Sequence, residues 1–244
     1  MFLLTKVRLS WFFVLFFLVF LTLLFFLPRI TFTAATLTLF SVNSFLYGFY
    51  ISPILGAQKS RIEELHKIVR AEANAIFAIM LTIKSLPDSL KDTFKDRMTE
   101  YIHKTVKSDI KAAEKDYEDL VTFCVDYNGK HKDVMDRLLE KLVANQQNRT
   151  NYTMQVSNKV FSNEWMIMIV LFGITLAFIL LLDTGDLFIL KVVTALLCTG
   201  LSMLVLILVK LSTLTHKKAR RAWEPLKTLV ASNYYRIDQA VSEK

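Results

Sequence analysis

The chain has 244 residues, 53% of them hydrophobic, with a net charge of +8 and only two cysteines. The apolar residues collect in long uncharged runs, which excludes an ordinary soluble globule, and Cys124 and Cys198 sit in settings too different for a disulfide framework. The positive charge does not mark a nucleic-acid binder, because acidic and basic residues nearly balance over 57–163 and the excess lies beside the apolar runs.

The first run, spanning about 9–27, carries no charge and is long enough to cross a hydrocarbon core of about 30 Å. It exceeds an export-signal core and is rich in Phe, so it is expected to stay as an anchor. Pro28 and Arg29 make a turn into a second span over about 30–55, which is also uncharged but carries Thr31, Thr33, Thr36, Thr38, Ser41, Asn43 and Ser44. Thr33, Thr36, Phe40, Asn43, Tyr47 and Tyr50 follow one another at alternating spacings of three and four, so they share one helix face. Two readings of that face stand: a pore lining in which hydroxyl and amide groups replace ion hydration, with Phe40 as a constriction, or polar contacts that bind neighbouring spans together.

Residues 57–163 read as helices throughout, since their apolar residues recur at three and four and not at two. One helix runs from about Ser60 to Lys84, continuing the second span, with Ile62, Leu65, Val69, Ala73, Ile76, Met80 and Ile83 as its stripe. Glu72 falls on or beside that stripe, where a carboxylate needs a partner or a raised pKa. An Arg or Lys from the next helix is the expected partner, making Glu72 a structural buried charge, with a sensing role as the other reading. Pro87 ends the helix, and the following one carries Leu90, Phe94, Met98, Tyr101, Ile102, Val106 and Ile110 along one side. Two more helices are expected around Tyr117–Cys124 and Val134–Leu142, separated by a turn at Asn128 and Gly129. The polar run Asn145–Asn158 is expected as either an exposed helix or a linker. Its sequons at Asn148 and Asn151 read as ordinary polar residues.

A second hairpin, over 164–211, has spans at about 165–182 and 187–210, joined by a turn holding Asp183 and Asp186. Beyond it, residues 212–244 form a basic tail in which Lys217, Lys218, Arg220 and Arg221 make a juxtamembrane cluster. Such a cluster is expected to set topology and attract anionic lipid, or to act as a lipid-regulated switch. Lys and Arg flank the first span on its N-terminal side, follow the second and follow the fourth. This predicts a multi-pass protein with both termini and the central domain in the cytoplasm.

The expected fold class is therefore an all-α membrane protein, with hairpins over 1–56 and 164–211 bracketing a helical cytoplasmic domain. The chain has no glycine-rich phosphate loop, zinc spacing or nucleophile elbow, and its histidines lie scattered among charges. No enzyme activity, metal or cofactor is expected. The partners expected are the bilayer, further copies of the chain and possible small ions, and not nucleic acid.

The stretch IVRAEANAIFAIMLTIKSLPDSLKDTFKDRMTEYIHKTVKSD, with its "EA" helix, "LP" break and following helix, resembles the bestrophin-like family of mostly prokaryotic membrane proteins. Glu164–Trp165 at the start of the second hairpin and the turn LLDTGDLF extend the resemblance over most of the chain, although the turn lacks the expected proline-and-glycine form. The resemblance implies a four-span protein distantly similar to bestrophin anion channels, which form rings around a pore lined by the second span. On that basis the expected function is a homo-oligomeric channel for small ions, with anion preference resting on the resemblance alone. The competing expectation is a non-conducting scaffold or signalling protein that recruits a partner through its cytoplasmic helices.

Overall fold

The computed structural model describes residues 8–108, 110–157, 160, 162–183, 185, 187–213, 223–232 and 234. Among these the protein is helical, and its one pairing of extended backbone is an isolated parallel bridge between Ile30 and Leu182. The helices in chain order are α1 (Leu9–Phe26), α2 (Ala34–Thr82), α3 (Asp88–Lys107), α4 (Glu114–Val125), α5 (Lys132–Ser157), α6 (Ser162–Leu181), α7 (Phe188–Ser212) and α8 (Glu224–Ala231). Four of them, α1, α2, α6 and α7, are long and apolar enough to cross a membrane. That count makes this a multi-pass membrane protein. The chain divides into two compact units, one drawn from residues 1–60 and 159–213, the other from 61–158 and 214–244.

In the first unit α1 stops where the sequence says it should. Pro28 forces Leu27 into an extended conformation, φ −75° and ψ 142°, which ends the helix. The extended segment from 27 to 33 then lies against the turn between α6 and α7. The Ile30 N–H donates to the Leu181 carbonyl at 2.8 Å and the Asp183 N–H donates to the Ile30 carbonyl at 3.2 Å. Arg29 reinforces the junction by donating from Nη1 to the Gly185 carbonyl at 2.6 Å, with Asp183 3.9 Å away. The backbone reverses at Gly185 with φ +71°, a conformation that favours glycine, while its N–H donates to Asp183 Oδ1 at 3.0 Å. Lys191, 9% exposed near the start of α7, sets its ammonium 4.5 Å from the Phe25 ring centroid. Both cations at this end of the first unit are thus held by groups of the chain itself.

Two small apolar clusters hold the spans together. Phe20 and Leu24 of α1 pack with Ile179 of α6 and Ala195 and Cys198 of α7. Tyr47 and Ile51 of α2 pack with Val160, Met168 and Leu208. Most of the remaining surface of the spans is exposed hydrocarbon, as a lipid-facing surface must be.

The second unit has the larger core. Along the later part of α2 and into the 3-10 turn that follows it, Leu65, Val69, Ala73, Ile76, Met80 and Ile83 are buried, the stripe expected from spacing, with Ile62 only half-buried. They meet Phe94, Met98, Tyr101 and Ile102 of α3, Tyr117, Leu120 and Cys124 of α4, and Val134, Met135, Leu138 and Leu142 of α5. Leu86 is extended, with ψ 154°, because Pro87 follows it, and α3 starts at Asp88. Lys104 ties α3 to α4 through Asp116 at 2.6 Å.

Of the two readings of the run Asn145–Asn158, the helix is the one that forms over its described residues: α5 continues to Ser157, burying Asn145, Arg149 and Tyr152 on one side. Its inward face is polar and aromatic, so apolar spacing alone did not reveal it. The tail beyond 212 is more than a basic extension. Trp223, Leu226, Leu229 and Tyr234 are all buried in the core of the second unit, with Trp223 edge-on to Tyr152 at 4.9 Å.

Candidate functional site

The six residues of the second-span face are placed unequally. Thr33 precedes α2 and caps it: its Oγ1 accepts from the Thr36 N–H at 3.4 Å and lies 2.9 Å from the Thr36 hydroxyl. Asn43 turns into the unit and donates from Nδ2 to Thr175 Oγ1 at 2.8 Å and to the Leu171 carbonyl at 3.2 Å, both on α6. Thr175 completes the set by donating to the same Leu171 carbonyl at 2.9 Å. Phe40 meets the Phe178 ring at 5.3 Å and Tyr47 meets the Phe172 ring at 6.0 Å. Tyr47 is buried, and Tyr50 packs half-buried against the same cluster. Asn43, Phe40 and Tyr47 are therefore engaged within the chain, on α6.

The open side of α2 lies about half a turn away, at 100° per residue. Thr38, Ser41, Phe45, Phe49 and Ser52 all fall there and are exposed. The Phe45 and Phe49 rings stack with centroids 6.0 Å apart and planes 19° from parallel. The Thr38 and Ser41 hydroxyls donate back to the Ala34 and Leu37 carbonyls, each at 3.0 Å. Pro53 sits inside α2 on the same side, and since it lacks an N–H it leaves the Phe49 carbonyl without its helical donor. No charged side chain stands on α2 between Ala34 and Gln58.

Glu72 occupies a different setting, in the core of the second unit. Its side chain is fully buried, and Oε1 accepts a 2.5 Å hydrogen bond from the Tyr101 hydroxyl of α3. Oε2 has no hydrogen-bond partner among the described residues. The expected ion pair with an Arg or Lys of the next helix is not what forms: the inward-facing group α3 offers there is a tyrosine. The cation in the same region is Arg149 of α5, and it is committed elsewhere. Arg149 donates from Nη2 to Glu114 at 2.7 Å and from Nη1 to Gln146 at 2.7 Å, with its guanidinium 3.9 Å over the Tyr117 ring and 5.3 Å from that of Tyr101.

Burial pushes the Glu72 carboxyl above the ordinary carboxylate range, more strongly than the Tyr101 hydrogen bond and the Arg149 charge pull it down. Burial and the neighbouring Glu72 likewise push Tyr101 well up. Tyr117, which donates to the Leu142 carbonyl at 2.7 Å, is raised to about 12, chiefly by burial. A cavity of about 320 Å³ opens beside the Arg149–Glu114 pair, lined also by Gln146, Thr150 and Thr153.

Lys217, Lys218, Arg220 and Arg221, the proposed lipid-facing cluster, lie outside the described residues. Among the described residues no group of His, Cys, Asp and Glu is arranged to hold a metal ion. No protein-family profile, curated protein or solved structure matches the chain.

Proposed function

We propose that this multi-pass membrane protein assembles as a homo-oligomer and conducts small ions along its second spans, with both termini and the second unit on the cytoplasmic side. The observation that carries this reading is the two-sidedness of α2. One face is satisfied by α6, while the opposite face presents Thr38, Ser41 and Ser52, the Pro53-freed carbonyl and a stacked pair of phenylalanines. Both α1 and α2 expose large hydrocarbon side chains, Leu15, Leu18 and Phe26 on α1 and Leu39, Val42 and Leu46 on α2, and what distinguishes α2 is the row of hydroxyls among them. A polar, uncharged face on one span among apolar ones suits water and ions at a symmetry axis better than acyl chains. The resemblance to the bestrophin-like family supports the same assignment of the second span, and the basic residues beside the spans support the orientation.

In this reading Phe45 and Phe49 form the hydrophobic constriction, Ser41 and Thr38 the wet stretch beside it, and Thr33 and Thr36 the far mouth. Asn43, Phe40 and Tyr47 hold α2 upright against α6. With one α2 per chain, several copies are needed to enclose a path. Reconstitution into liposomes with a halide-flux readout is the test. The expected result is flux that Phe45→Ala increases and Ser41→Leu abolishes. Absence of flux from a folded oligomer would remove the channel reading and leave the non-conducting scaffold.

A further inference from the structure

The second unit places two carboxylates, Glu72 and Glu114, around one guanidinium, Arg149. Only Glu114 is in contact with it, at 2.7 Å, and Glu114 keeps 42% of its side chain exposed beside an open cavity of about 320 Å³. Glu72 has no such outlet. It is 0% exposed, bound through one oxygen to a neutral hydroxyl, with the other oxygen unpartnered among the described residues. An ionised carboxylate in that position would be an uncompensated buried charge, whereas a neutral acid is tolerable there. The charged and titratable groups coupled to Glu72 come from three helices: Tyr101 on α3, Tyr117 on α4 and Arg149 on α5, with Glu114 of α4 reaching it only through Arg149 and Tyr117. On its own helix, His66 and Arg70 are exposed.

We propose that Glu72 is a proton-binding site: it is held as a neutral carboxylic acid while Arg149 serves Glu114, and on losing its proton it draws Arg149 away from Glu114. The proton goes to solvent, the guanidinium exchanges one carboxylate for the other, and Glu114 is left to hydrate in the cavity it already lines. The geometry allows the exchange because Arg149 lies across both tyrosine rings, 5.3 Å from the ring of Tyr101, whose hydroxyl holds Glu72. The exchange moves an anchor of α5 from α4 to α2, so the packing of the second unit becomes pH-dependent. The proposal stands apart from ion conduction and holds for a scaffold equally well.

The sign follows from the direction of the shift. A carboxyl raised in the folded state binds more protons folded than unfolded, so its stabilising contribution is complete below the ordinary carboxylate pKa and is lost as pH rises toward the folded value. The test is infrared spectroscopy of the full chain in detergent across pH, comparing wild type with Glu72→Gln and Glu114→Gln. A protonated-carboxyl carbonyl band should be present at neutral pH, disappear on raising pH and be missing in Glu72→Gln. That variant should fold, with a melting temperature at neutral pH no lower than wild type and a flatter dependence on pH. Glu114→Gln frees the Arg149 charge for Glu72 and should move the loss of the band down by about 1 pH unit. Wild type lacking the band at every pH, or Glu72→Gln melting well below wild type, would overturn the proposal. So would a band whose midpoint ignores Glu114→Gln in a folded variant, and the wild-type titration decides by itself should that variant not fold.

Discussion

Trp223→Ala is expected to be among the most destabilising single substitutions in this chain, costing the second unit about 3–5 kcal/mol, as removal of a fully buried indole does elsewhere. Trp223 is 0% exposed and meets Tyr152 of α5 edge-on, an arrangement that adds to area burial. It also leads into α8, whose Leu226 and Leu229 are buried in the same core, so its loss loosens the docking of that helix. Thermal unfolding followed by circular dichroism, with a truncation after residue 213 as the limiting case, checks this. Truncation should lower the transition at least as far as Trp223→Ala. Equal melting of truncated and intact chains would mean that α8 contributes nothing to the core.

Arg149→Met should cost about 3 kcal/mol, at the lower end of what removing one partner from a buried pair costs, because Glu114 is half open to water. Three contacts are lost together: the 2.7 Å bonds to Glu114 and to Gln146, and the face-on stack at 3.9 Å over Tyr117. Arg149→Lys should recover little. An ammonium serves only one of these acceptors well and lacks the planar surface that lies on the tyrosine ring. The same unfolding measurement checks both variants. A lysine variant as stable as wild type would show that charge alone, without the fork and the stack, accounts for the role of Arg149.

The sequence made the spans legible because long uncharged runs have few other solutions. The end of α1 and the start of α3 follow from Pro28 and Pro87. The stripe along the later part of α2 could likewise be read residue by residue, since a core of Leu, Ile and Val leaves a period that spacing captures. Direction was not legible. Spacing groups Asn43 with Phe40 and Tyr47, but whether that face looks toward a neighbouring span or away is decided by Leu171, Phe172, Thr175 and Phe178 on α6, more than 120 residues away. Of the hydroxyls outside the six-residue stripe, Thr38 and Ser41 are exposed and Ser44 is half-buried, while Thr33 on the stripe is exposed as well.

Similar reasons explain the other misses. The costly position of Glu72 was visible from spacing, but its partner was sought among cations, and a tyrosine hydroxyl carries no charge signal. Arg149 was hidden in a polar run, where its burial depends on the aromatic faces of Tyr101 and Tyr117 and on Glu114. The docking of Trp223 was masked by the basic residues before it, which drew the reading toward the membrane surface.

The central claim, that α2 carries an inward face held by α6 and an opposite face lining a wet path, is tested most directly by single-cysteine labelling. Cysteines would be placed one at a time from Thr36 to Ser52 in a background lacking Cys124 and Cys198, and the reconstituted oligomer exposed to a charged, membrane-impermeant thiol reagent. Modification should peak at positions 38, 41, 45, 49 and 52 and be absent at 43 and 47. Labelling that peaks at 43 and 47, or no labelling anywhere along the span, would contradict it.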